Sequence, residues 1–113
     1  MAYSEHQADR IRQRLKKANL TEEKKMMGGL IFMVNHKICV GLDIDKTTSS
    51  DRLMVRVGKV QQDQLIFKKG SREMDFTGRV MRGFLFIESA GFDSEEDLDF
   101  WIDKALYFNR EIS

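Results

Sequence analysis

The stretch that decides the fold is LIFMVNHKICVGL, which spans residues 30–42. It contains two apolar runs, residues 30–34 and 37–42, separated by only Asn35 and His36. Two apolar runs joined by two such residues are typical of a β-hairpin, and Asn35 tolerates the positive φ that a tight turn requires. Both faces of the first run are apolar, so we expect this strand to lie inside the sheet, with cover or partners on both sides.

The segments before and after this hairpin predict helices. Apolar residues recur at helical spacing over residues 4–18 and 94–110, which indicates two amphipathic helices. The second begins with Ser94 followed by acidic residues, a capping sequence. Thr21, followed by two glutamates, predicts a short helical turn that ends at the glycine pair after residue 27.

The middle of the chain predicts three further strands and one helix. Apolar and polar residues alternate over 52–57, which indicates a strand with one face in solvent. Residues 58–67 lack this alternation and are predicted to form a short helix. Phe76 and residues 80–87 supply two more strands, the second interrupted near Gly83. The expected fold is α+β, a five-stranded antiparallel sheet with helices in the order α-β-β-β-α-β-β-α.

Length and composition favour one soluble domain over residues 1–113. The chain is 42% hydrophobic and 33% charged, with a net charge of +1, which excludes disordered and membrane classes. No apolar run approaches the ~20 residues that a bilayer span requires, and the start of the chain lacks a signal-peptide core. The lone Cys39 suits a reducing compartment, so we expect a cytoplasmic protein without membrane contact.

Charge is unevenly distributed along the chain. Residues 52–82 carry eight basic and three acidic side chains, whereas residues 83–113 carry two basic and eight acidic ones. The acids of the last helix either neutralise central cations such as Arg52, Arg56 or the Lys68–Lys69 pair, or leave them as a basic surface. The docking of that helix decides between these two outcomes.

The residues that could support catalysis or bind a metal are few and scattered. Cys39, His6 and His36 are too few and too dispersed for zinc, and Cys39, in a strand among apolar residues, is expected to be a core thiol with a raised pKa. Asp43 and Asp45 could hold a hard cation, although a solvated loop is favoured because no third ligand is near. We therefore expect no metal, no cofactor, no catalytic residue and no enzyme activity.

Two other patterns favour packing over binding. Residues 82–87 and 31–35 resemble the signature strands of an RNA-recognition motif, but here the second leads directly into another strand instead of a helix. Their aromatic residues are therefore expected in the core. Met26, Met27 and Met33 allow an adaptable binding surface, although core packing is again favoured.

Basic residues of the central segment are the best candidates for an anion- or partner-binding site. Glycine and serine between some of them would let the cations converge on phosphate, so direct binding of nucleic acid or another anion is the alternative function. The candidates are Arg56, Lys68, Lys69, Arg72, Arg79 and Arg82.

Four strings in a fixed order resemble the TfoX N-terminal domain family. They are MMGGLIFMVN at 26–35, LMVRVG at 53–58, MDFTGRVMRGF at 74–84, and Trp101-Ile102 with Ala105-Leu106. The similarity extends from about Lys24 to Phe108. The signature positions are Met27, Gly28, Gly29, Phe76, Gly78, Gly83 and Trp101.

The resemblance implies an α+β domain and kinship with bacterial competence regulators, which are non-enzymatic coactivators with a further helical domain. The chain would then be a stand-alone N-terminal domain with no catalytic residues to carry over. The leading hypothesis is a small regulatory or protein-interaction domain, linked to transcriptional control of competence and DNA uptake. Its expected partner is a protein, such as a component of the transcription machinery, and the open sheet edges also allow a homodimer.

Overall fold

The computed structural model describes residues 3–26, 28–76 and 78–113. The α+β class with an antiparallel sheet is confirmed, but the sheet has six strands instead of five, in the order β1-β2-β3-β4-β6-β5. In chain order the elements are α1 (Glu5–Leu15), β1 (Leu20–Met26), β2 (Gly29–Val34), β3 (Lys37–Ile44), β4 (Asp51–Arg56), α2 (Gly58–Leu65), β5 (Ser71–Phe76), β6 (Arg79–Glu88), α3 (Ser89–Phe92) and α4 (Glu95–Glu111).

The predicted hairpin is the β2–β3 pair. Asn35 and His36 have φ angles of 52° and 64°, which is the pattern of a type I′ turn. β2 lies between β1 and β3, so its predicted internal position is confirmed.

The sixth strand, β1, replaces the helical turn predicted at Thr21. That prediction is wrong because residues 20–26 have no apolar face for a helix to bury, whereas β2 needs a second hydrogen-bonding neighbour. β1 supplies it, antiparallel from Leu20 opposite Val34 to Met26 opposite Gly29. Backbone pairing, more than side-chain burial, therefore decides this segment.

The main core lies between one face of the sheet and the helices. Phe32, Val55 and Leu85, from three strands, are fully buried there against helical residues such as Ile11 and Trp101. The helices predicted over 4–18 and 94–110 are confirmed as α1 and α4, and the one predicted over 58–67 as α2. Ser94 begins α4 as predicted, because its side chain accepts a hydrogen bond from the Asp97 N–H at 3.1 Å.

The other face of the sheet holds a second, smaller core. Met54 of β4 is buried there with Ile31, Met74 and Phe86. The prediction that this face of β4 lies in solvent is therefore wrong for Met54. Met54 and Met74 fill this second core. Of the three methionines expected in the core, Met33 packs against it, whereas Met26 is 38% exposed, so the expectation is wrong for Met26, and Met27 lies outside the described residues.

β6 continues through Gly83, where an interruption was predicted. Gly83 has a φ of 90°, which only glycine adopts without strain, and its N–H donates to the Gln62 side chain at 2.6 Å. The strand is irregular there but does not end.

Candidate functional site

A groove of about 580 Å³ lies where the start of α2, the middle of β6 and the C-terminal half of α4 meet. A second depression of about 550 Å³ continues it along α4. Gln61 of α2 and Tyr107 of α4 line both. We call the two together the α2–α4 groove.

Close backbone contacts fix the floor of the groove. The Val57 N–H donates to the Gly83 carbonyl at 2.9 Å, and the buried side chain of Gln62 accepts the Gly83 N–H. Gly58 begins α2 at a φ of 84°, and a Cβ there would lie 2.5 Å from the Phe108 ring. The start of α2 is therefore held against both β6 and α4.

Arg56 lies between two aromatic rings at the side of the groove. Its guanidinium carbon is 5.5 Å from the centre of the Phe84 ring and 5.6 Å from that of Phe108. Among the residues that the structure describes, no carboxylate oxygen lies within 4.0 Å of it. The rings hold this cation in place and leave its N–H groups without an acidic partner in the described chain.

Apolar side chains at the rim of the groove are accessible to solvent. Val60 of α2 is 71% exposed and Tyr107 of α4 is 54% exposed. Sequence reasoning did not select either residue, although Val60 lies away from the buried Gln62–Leu65 side of its helix, which is the signal that could have revealed it.

Acids at the start of α4 pair with α1 and not with the central cations. Arg14 forms an ion pair with Glu95 and donates to Asp99 at 2.6 Å, while Arg10 lies 3.2 Å from Glu95. The hydrogen bond from Arg14 lowers the pKa of Glu95. The possibility that these acids neutralise Arg52, Arg56 or the Lys68–Lys69 pair is therefore not realised at these two carboxylates.

The six candidate cations are spread over several elements. Arg56 and Arg82 line the groove, and Arg82 lies 4.0 Å from Asp63. The Lys68 ammonium is 4.2 Å from the Phe100 ring centre, and Arg72 forms an ion pair with Glu88 at 2.8 Å. The remaining two, Lys69 and Arg79, are exposed on the α2–β5 connection and at the start of β6.

Three other cations that line the groove were not among the six candidates. They are Lys59 at the start of α2 and, on α4, Lys104 and Arg110. The α4 pair lies in the strongly acidic last quarter of the chain, so the net charge of that segment gives no indication of a basic site.

The described signature positions lie outside the groove, with the exception of Gly83. Gly28 has a φ of 77° before β2, and a Cβ on Gly29 would lie 2.2 Å from the Leu42 carbonyl oxygen. The indole N–H of Trp101 donates to the Gly91 carbonyl at 3.1 Å in the core. Gly83 alone among the described signature residues lines the groove. Of the others, Gly78 has a φ of 77° before β6, Phe76 ends β5, and Met27 lies outside the described residues.

Three of the titratable residues considered for catalysis or metal binding are buried or held in an ion pair. Cys39 is buried, and burial raises the pKa of its thiol to about 12, as expected. Arg52 contacts Asp43 at 2.7 Å and Asp45 at 3.7 Å, so the solvated loop expected for this carboxylate pair is wrong. No group of three or more His, Cys, Asp or Glu in the described ranges is placed to hold a metal ion.

Aromatic residues of the RNA-binding resemblance are mostly packed. Phe86 is 5% exposed, with the Arg52 guanidinium 3.7 Å above its ring. Phe32 is fully buried, and Phe84 is half-buried against Arg56. The core interpretation therefore holds for Phe86 and Phe32.

Within the described residues, no helix is long and apolar enough to cross a membrane.

Comparison with known proteins places this chain in a family. No curated protein and no solved structure matches the sequence. The sequence model of the TfoX N-terminal domain matches residues 13–108, which is most of the chain and extends from α1 to α4. The chain therefore belongs to the TfoX N-terminal domain family.

Proposed function

We propose that this protein is a non-catalytic interaction domain of the bacterial cytoplasm that acts in gene regulation by binding another protein in the α2–α4 groove. Family membership supports the regulatory part, because the TfoX N-terminal domain family is associated with competence regulation. Control of DNA-uptake genes through contact with the transcription machinery is the form of regulation that this kinship favours.

The observation that carries the proposal is an exposed apolar rim beside Arg56 and Arg110, which have no carboxylate oxygen within 4.0 Å among the described residues. Val60 and Tyr107 remain accessible, although both could have been polar at no cost to the core. Arg56 is held half-buried between two rings in the same groove. Protein interfaces are enriched in aromatic residues and arginine, so this combination is typical of a binding surface.

Nucleic-acid binding is the competing function, and the placement of the cations disfavours it. Of the six residues first considered, only Arg56 and Arg82 share the groove, and Arg72 is paired with Glu88. A phosphate backbone requires cations along a continuous path, and acids such as Glu111 line the same groove.

Photo-crosslinking from the groove tests the proposal. We would place a benzophenone amino acid at Val60 and, in a matched control, at Val80, an exposed valine of β6 outside the groove. In bacteria that naturally make the protein, we expect a discrete protein adduct from position 60 and none from position 80. Mass spectrometry then identifies the adduct, and a component of the transcription machinery is the expected result.

The outcomes separate the two functions. An adduct to nucleic acid at position 60, with binding that weakens steeply between low and physiological salt, would favour the competing function. Equal protein adducts from positions 60 and 80 would contradict the proposal, because the contacts would then be unspecific.

A further inference from the structure

We infer that the α2–α4 groove receives an acidic segment of the partner that also carries one bulky apolar side chain. This inference rests on the proposed function and specifies the chemistry of the partner.

The charged side chains that line the groove are predominantly basic. Two acids are present, Asp103 and Glu111. Five cations accompany them, namely Arg56, Lys59, Arg82, Lys104 and Arg110. A segment rich in aspartate and glutamate is complementary to this excess, and complementary charge both steers association and selects the partner.

Most arginines of the protein have carboxylate partners. Six of the nine lie within 4.0 Å of a carboxylate oxygen, including Arg52 and the three arginines of α1. The other three, Arg56, Arg79 and Arg110, have no such partner among the described residues, and two of these three line the groove. Arginines that have no carboxylate partner among the described residues are thus concentrated in the groove.

Arg56 is arranged to recognise a carboxylate. The Phe84 and Phe108 rings restrict its guanidinium, so less side-chain entropy is lost when a ligand binds. Its half-buried position also reduces screening by water, which strengthens a charge-assisted, two-point hydrogen bond.

The apolar part of the groove is suited to burying one bulky apolar side chain of the same segment. Val57, Val60 and Tyr107 line it together with the two rings beside Arg56. Burying an aromatic or large aliphatic side chain against them would supply the affinity, while the surrounding charges supply the specificity. A nucleic acid offers bases but no aliphatic anchor.

Selection from a library of random short peptides displayed on phage tests the inference without prior choice of a ligand. We expect enrichment of segments that combine several acids with one aromatic or large aliphatic residue. A synthetic peptide of the enriched sequence should bind the intact protein, and its Asp→Asn, Glu→Gln counterpart should bind at least tenfold more weakly.

Matched variants tie this binding to the groove. Arg56→Gln and Arg110→Gln should each weaken peptide binding about tenfold. Arg79→Gln removes an arginine outside the groove that likewise has no carboxylate partner among the described residues, and it should leave the affinity unchanged. Unaltered thermal unfolding would establish that the variants fold. A Val60→Ser variant tests the apolar contact and should also weaken binding.

Three results would overturn the inference. They are enrichment of neutral or basic peptides, no enrichment at all, and equal losses from the Arg56 and Arg79 variants. If any of these occurs while a protein still crosslinks specifically at Val60, the proposed function stands and only the acidic character of the partner is refuted.

Discussion

Replacement of Asn109 by alanine should destabilise the protein through loss of a buried polar junction. Asn109 is 2% exposed on α4. Its side-chain N–H donates to the Val34 carbonyl at 2.9 Å, and its oxygen accepts from the Asn35 side chain at 2.8 Å. The residue thereby joins the end of α4 to the turn of the central hairpin.

The expected magnitude follows from these two bonds. Each contributes roughly 1 kcal/mol net, and leaving buried partners without a hydrogen bond adds to the loss, so the free energy of unfolding should fall by about 2–3 kcal/mol. Urea denaturation followed by tryptophan fluorescence measures this, because Trp101 lies in the core. The midpoint should fall by about 1–2 M urea.

Asn19→Ala is the matched control. Its amide donates to the same Asn35 side chain at 3.0 Å, but Asn19 is exposed, so its loss should change stability by less than about 0.5 kcal/mol. Equal effects from the Asn19 and Asn109 variants would refute the reasoning that burial sets the contribution of these bonds.

Three further predictions concern pH and backbone strain. Burial raises the pKa of the Cys39 thiol from its ordinary 9.0 to about 12, so the thiol of the unfolded chain loses its proton at lower pH than the thiol of the folded protein. Between pH 9.0 and about 12, the unfolding free energy of wild type should therefore fall relative to that of Cys39→Ala, as measured by urea titrations. The pKa of Glu95 is lowered by its hydrogen bond with Arg14, so its stabilisation is present above the ordinary value of 4.5 and lost as pH falls further; Glu95→Gln should flatten the acid limb of a stability profile, and Glu96→Gln should not. Gly58→Ala should cost about 1–3 kcal/mol by calorimetry and reduce crosslinking at the groove, because the residue has a positive φ and its new Cβ would meet an α4 ring at 2.5 Å.

The elements predicted best are those in which the local sequence pattern itself indicates which side chains are buried. The hairpin over 30–42 has apolar faces and a two-residue turn, and α4 has both a cap and an apolar stripe, so short-range patterns suffice. The Cys39 environment was predictable for the same reason, since its neighbours along the strand are apolar.

β1 was missed because its sequence carries no such signal. Residues 20–26 are mainly charged, and the strand exists because β2 offers it hydrogen-bonding groups and because Arg12 contacts Glu23 at 2.8 Å. Both causes lie elsewhere in the chain, and a local pattern cannot report them.

The groove could be predicted only in part. Arg56 and Arg82 were selected from their charge, but Lys104 and Arg110 lie in an acidic segment and become important because Glu95 and Asp99 turn towards α1. The packing of α1 against α4 determines these ion pairs, and the amino-acid composition does not specify that packing.

The pairing of β4 with β6 gives the groove a place in the order of folding. Four of the five strand contacts join consecutive strands, whereas β4 and β6 are separated in sequence by both α2 and β5. Closing this loop costs more chain entropy than forming a hairpin, so we expect it to be a late step. Because α2 lies within that loop, a binding-competent groove forms only once the two halves of the sheet have joined. A bound partner would then stabilise the joined halves of the sheet and slow the unfolding of the whole domain.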